Sequence, residues 1–95
     1  MYTNIVLFKL KDRSPANITK TKNVVMSMAG KIDELRHLEV GENIKQSDRA
    51  YDLAVTVKTD SRTDYDVFAM HPAHREVSTY MRSVEEVSIT VGYEV

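Results

Sequence analysis

Tyr2-Thr3-Asn4-Ile5-Val6-Leu7-Phe8-Lys9-Leu10 is the stretch that decides the fold. Side chains alternate across a strand, so Asn4, Val6, Phe8 and Leu10 share one face and Thr3, Ile5, Leu7 and Lys9 the other. Both faces are apolar in the middle. That pattern predicts a central strand buried on two sides, not an edge strand with one wet face.

Working outward, Ser14-Pro15 is a helix start, with Ser as N-cap and Pro at the first helical position. Ile18, Val24, Val25 and Met28 follow at helical spacing, and Gly30 is the expected C-terminal stop. Leu38 to Ile44 reads as a second strand and Tyr51 to Lys58 as a third, in which Leu53, Val55 and Val57 form the core face. Ser61-x-x-Asp64 caps a short helix carrying Tyr65, Phe68 and Ala69. That helix should end before Pro72, because a residue preceding proline is disfavoured in the helical region. Pro72 opens another helix with Val77, Tyr80, Met81 and Val84 on one stripe, and Val87, Ile89, Val91, Tyr93 and Val95 alternate along a last strand.

The order is β-α-β-β-α-β, an α+β class in which split βαβ units build a four-stranded antiparallel sheet with helices on one face. Residues 1–95 form one domain. The first and third strands are expected at the centre. The other sheet face has no helix to cover it, and Ile5 and Leu7 lie there beside Tyr51 and Thr56. An uncovered apolar face invites a partner, and a second copy closed by twofold symmetry is the simplest one, so these four residues are the expected dimer interface.

Composition excludes several functions. Thirteen Lys and Arg stand against fourteen Asp and Glu, giving a net charge of −1 with the signs interleaved. A nucleic-acid binder needs a basic stripe, so neither nucleic acid nor an anionic membrane surface is an expected partner. Cysteine is absent, which removes disulfides, thiol catalysis and thiolate metal sites. No apolar run reaches the roughly 18 residues of a membrane span, and no basic-then-apolar start marks a secretory signal, so the expectation is a cytoplasmic protein.

His71 and His74 are the residues with chemistry to offer. A neutral imidazole accepts a proton near physiological pH, which makes His74 the candidate general base. The plainer reading is that His71 organises the helix junction and that His74 hydrogen-bonds locally. Two histidines at this spacing are too few for zinc, so no metal and no cofactor are expected. Asn4 is an amide on the core face of a central strand and needs partners. It either satisfies neighbouring groups or lines a small-molecule cavity, and Phe8, Val55, Phe68 and Tyr80 are the candidates to line it with Asn4. Asp52 and Asp64 are a weak carboxylate pair.

The stretches Asn4 to Lys11, Val40-Gly41-Glu42-Asn43, Arg49 to Ala54, His71-Pro72-Ala73-His74 and Val91-Gly92-Tyr93-Glu94-Val95, in that order, resemble the stress-responsive α/β-barrel domain family. The resemblance covers essentially the whole chain. It implies a ferredoxin-like fold and a dimer whose two sheets form a barrel, and it implies little about activity. One branch, the plant olivetolic acid cyclase, condenses a linear polyketide without metal or organic cofactor. Its working histidine matches His74, but its partner tyrosine falls at Phe68 and a further histidine at Asn4. The fold carries over from this resemblance and the cyclase activity does not. Tyr65 could bring a substitute hydroxyl, displaced by one helical turn, about 5 Å.

Two classes of function remain open. One is a stress-response domain that acts as a dimer and is non-enzymatic or binds a small apolar ligand. The other is a cofactor-free cyclase- or isomerase-like enzyme with His74 as base. A filled interior would favour the first, and an open cavity reaching His74 the second.

Overall fold

The computed structural model describes residues 1–95. Strand β1 spans Tyr2–Leu10, helix α1 Pro15–Met26, β2 His37–Glu42, β3 Leu53–Thr59, α2 Arg62–Met70, α3 Pro72–Val84 and β4 Glu85–Glu94. The four strands form one antiparallel sheet in the order β2-β3-β1-β4, so β1 and β3 are central. The helices cover one face.

Each helix begins where its capping chemistry lies. The Ser14 hydroxyl accepts from the Asn17 N–H at 3.3 Å, and the Ser61 hydroxyl from the Asp64 N–H at 3.0 Å. The second half of the chain holds two helices where the expected order counts one. His71, held extended by the proline after it, ends α2, and its Nδ1 accepts from the Ala73 N–H at 3.0 Å to start α3. That is the junction role expected of it.

Several boundaries differ from expectation. Helix α1 stops at Met26, not near Gly30; tight turns carry the chain on to Gly30, which has φ +79°. Met28 is buried from those turns, outside the helix. Strand β2 ends at Glu42 and β3 begins at Leu53, with the Asn43 N–H still donating to the Asp52 carbonyl at 2.9 Å and the Asp52 N–H to the Phe8 carbonyl at 2.8 Å. Asp52 is buried, and its carboxylate accepts from the Leu10 N–H at 2.9 Å and from Arg13 Nε at 3.1 Å. A buried carboxylate with both partners in place is a structural clamp tying the end of β1 to the start of β3.

The core lies between sheet and helices, with Leu10, Val25, Ile32, Leu53, Phe68 and Met81 among its buried members. Pairing register assigns the opposite face. Leu7 is flanked by Ala54 and Ile89, and Ile5 by Thr56 and Val91. Val87, Ile89, Val91 and Tyr93 are all exposed there. No helix is long and apolar enough to cross a membrane.

Candidate functional site

A half-open cavity of about 310 Å³ lies between the sheet and the helices. Asn4, Val6 and Phe8 of β1 and Val55 of β3 form its floor; Tyr65 and Phe68 of α2 and one side of α3 form its wall. The structure thus brings Asn4, Phe8, Val55 and Phe68 together with His74. Tyr80 is not among them. It faces a separate groove against Val24, Met28 and Lys31. The α3 residues that meet the cavity are His74, Val77, Ser78, Met81 and Arg82, at the three- and four-residue spacing of one helical face.

His74 is half-buried at the start of α3. Its Nδ1 lies 2.9 Å from the Ala69 carbonyl oxygen. A carbonyl only accepts, so Nδ1 carries the proton and donates it. Burial holds the imidazole below its ordinary pKa of 6.5, and the Ala69 contact opposes this more weakly. The ring is therefore neutral near pH 7, with the free lone pair on Nε2. The ring packs against Phe68 in a tilted contact, with centroids 4.6 Å apart and 48° between the planes, which restricts its orientation. These are the attributes of a general base: correct tautomer, correct charge and restricted orientation.

Around His74 the aromatic rings run in sequence. Phe68 lies 5.6 Å from Tyr65, and Tyr65 lies 4.9 Å from Tyr2, with the Arg62 guanidinium 5.8 Å over the Tyr2 ring. The Phe68 ring thus stands between Tyr65 and His74. Burial, then the neighbouring Tyr2, push the Tyr65 phenol above its ordinary pKa, so it stays a proton donor at neutral pH. Asn4 is buried, and its Oδ1 accepts from the Tyr2 hydroxyl at 3.4 Å. This leaves its amide N–H groups to serve the cavity.

The other candidates fall elsewhere. Ile5, Leu7 and Thr56 lie on the helix-free face, and Tyr51 sits with Leu7, Ala54 and Ile89 in a shallow depression of that face. His37 is exposed on β2, with Nε2 3.9 Å from Glu39. No cluster of three or more His, Asp or Glu has the arrangement to hold a metal ion. Sequence reasoning missed Glu85, Ser88 and Thr90, which also line the cavity, and did not place Val87, Ile89, Val91 and Tyr93 on the helix-free face. Alternation along β4 was visible, but its facing depends on pairing with β1.

None of the functionally curated proteins matches the chain in sequence. Solved structures do match. A dimeric ferredoxin-like protein of Bacteroides fragilis, of unknown function, is 27% identical with a TM-score of 0.82, over 99% of this chain and 95% of that one. A dimeric ferredoxin-like protein of Thermobifida fusca, also of unknown function, is 20% identical with a TM-score of 0.87, over 99% and 90%. The hydroxynitrile lyase of Passiflora edulis is 15% identical with a TM-score of 0.85, over 99% and 92%. At these last two identities the likeness is one of fold. Sequence adds the family itself: its profile matches residues 3–95, the span that holds β1, the cavity wall and β4, and the chain belongs to the Stress responsive A/B Barrel Domain (Dabb) family.

Proposed function

We propose that this chain is a homodimer that binds a small, largely apolar molecule between sheet and helices and removes a proton from it with His74, without a cofactor. The observation that supports this most is the open cavity reaching an imidazole whose neutral state and tautomer are set by its surroundings. The apolar floor and aromatic wall suit a hydrophobic body. The Asn4 amide supplies a donor for a carbonyl oxygen that gains charge as the proton leaves. The exposed apolar face of β1 and β4, and the dimeric state of the structural neighbours, support the homodimer, with two sheets face to face as a barrel.

The test is proton exchange at carbon. The protein is incubated in heavy water with 4-phenyl-2-butanone, whose α-protons are acidic enough for an enzymic base, and deuterium incorporation is followed by NMR. Exchange above background is expected, falling by about 10²-fold or more in His74→Ala, the usual worth of a positioned base. Exchange that persists in a folded His74→Ala protein would refute the role of His74. A second reading is a binding domain without catalysis. It is favoured by Phe68, buried where the cyclase branch of the family has its hydroxyl. Cavity-localised binding with no exchange would select it.

A further inference from the structure

Glu85 Oε2 is a buried side-chain oxygen with no hydrogen-bond partner. Leaving such an oxygen unpaired is costly, so its position calls for a reason. Its direction is set by a β-bulge. Along β1 and β4, Lys9 pairs with Val87 but Leu10 pairs with Glu85, leaving Glu86 as the extra residue. Alternation alone would turn Glu85 to the face of Val87 and Ile89. The bulge instead puts it on the face of Leu10, where it lines the cavity, while Glu86 pairs with Lys9 at 3.5 Å. Bulges that re-aim one side chain in this way are typical beside functional sites.

The cavity therefore carries a polar group at each end, with Val6, Val77, Ser78 and Thr90 among the residues between them. His74 and Asn4 mark one end, Glu85 and Ser88 the other. Along α3 the two ends lie about 16 Å apart at the helical rise per residue. Arg82 lines the Glu85 end, and neither residue enters an ion pair within the chain. A carboxylate oxygen only accepts, so its missing partner is a donor. The Arg82 guanidinium disfavours a cationic donor beside it and favours a neutral one, of which a hydroxyl is the simplest.

Building on the ligand-binding reading above, we infer that Glu85 is the specificity group of the cavity. It accepts a hydrogen bond from a hydroxyl at the far end of an elongated ligand whose other end lies against His74.

The test uses two ketones of nearly equal shape, 4-(4-hydroxyphenyl)-2-butanone and 4-(4-methylphenyl)-2-butanone. Their affinities for the full chain are measured by titration of its amide NMR spectrum, which also maps the site. The hydroxyl compound is expected to bind about tenfold more tightly or better, the usual worth of a hydrogen bond to a charged acceptor. Glu85→Leu should abolish or reverse that preference, and His74→Ala should leave it intact. Glu85→Gln keeps an acceptor without the charge and should retain part of the preference. It carries the test if the leucine variant fails to fold. Equal affinity of both compounds at the cavity, or an unchanged preference in the Glu85 variants, would overturn the role of Glu85 while leaving ligand binding in place. Failure of both compounds to perturb cavity residues would overturn both readings.

Discussion

Replacing Ile89 with lysine should separate the proposed dimer without unfolding the subunit. Ile89 is 51% exposed, and its neighbours across β1 are Leu7 and then Ala54. Fully burying an isoleucine is worth about 1.5–3 kcal/mol, so covering the exposed half contributes about 1 kcal/mol. Twofold symmetry counts each substitution twice, giving about 2 kcal/mol per dimer before any cost of burying two ammonium groups. At about 1.4 kcal/mol per tenfold, the dissociation constant should rise by about 30-fold or more. Sedimentation velocity across a dilution series of wild type and Ile89→Lys measures this directly. Val67→Lys is the matched control: Val67 is 48% exposed but lies on α2, away from the proposed interface. A dimer equally tight in Ile89→Lys, or equally weakened in Val67→Lys, would refute the assignment of this face.

Other outcomes follow from the cavity and its supports. His74 has a folded pKa below 6.5, so on acidification the unfolded chain takes up the proton first; the contribution of His74 to stability is whole above about pH 6.5 and is lost as pH falls toward the lower folded value. Urea midpoints of wild type and His74→Ala between neutral and acidic pH should therefore converge as pH drops, and curves that stay parallel would contradict this. Gly92→Ala should destabilise by about 1–3 kcal/mol, because a Cβ there would overlap the Tyr2 hydroxyl and lie 2.8 Å from its ring carbon Cζ. Adding Tyr2→Phe should restore part of the loss in a thermal melt, and no restoration would mean the overlap is relieved by other means. A linear tetraketide thioester should give no cyclised resorcylic acid above the spontaneous background, because Phe68 cannot donate a proton where the cyclase branch has its hydroxyl; product abolished by His74→Ala would overturn that.

How much of this was legible depends on whether a signal is local. The apolar middle of β1 announced a central strand, and the Ser14, Ser61 and Pro72 signals placed three helix starts, because caps and proline act within a few residues. Glu85 was illegible because its facing is decided by a bulge, and a bulge is a property of two strands far apart in sequence. Tyr80 was misplaced for a different reason. The apolar stripe of α3 is wider than the cavity: Val77 and Met81 meet it together with His74, Ser78 and Arg82, whereas Tyr80 turns toward the groove beside α1. Hydrophobic periodicity locates a core and is blind to the edge of a cavity. Asp52 read as one of a weak carboxylate pair, because Leu10 and Arg13, which make it a clamp, are distant in sequence.

The two surfaces proposed to matter are opposite sides of one strand. Asn4, Val6 and Phe8 face the cavity while Ile5 and Leu7 face away from the helices, so a single alternation serves both binding and association. A slip of one residue in β1 would exchange the two sets, exposing Val6 and Phe8 and driving Ile5 and Leu7 into the helices. Register is therefore held at both ends of the strand. At one end the Tyr2 hydroxyl lies over Gly92, and at the other the Asp52 carboxylate takes the Leu10 N–H. With the sheet between them, perturbations on the two faces share no partner and should act independently. Ile89→Lys should shift association and leave ligand preference alone, Glu85→Leu should do the reverse, and the double variant should show each shift at its single-variant size. A ligand preference that changes with Ile89→Lys would mean that the second subunit shapes the cavity as well as covering the sheet.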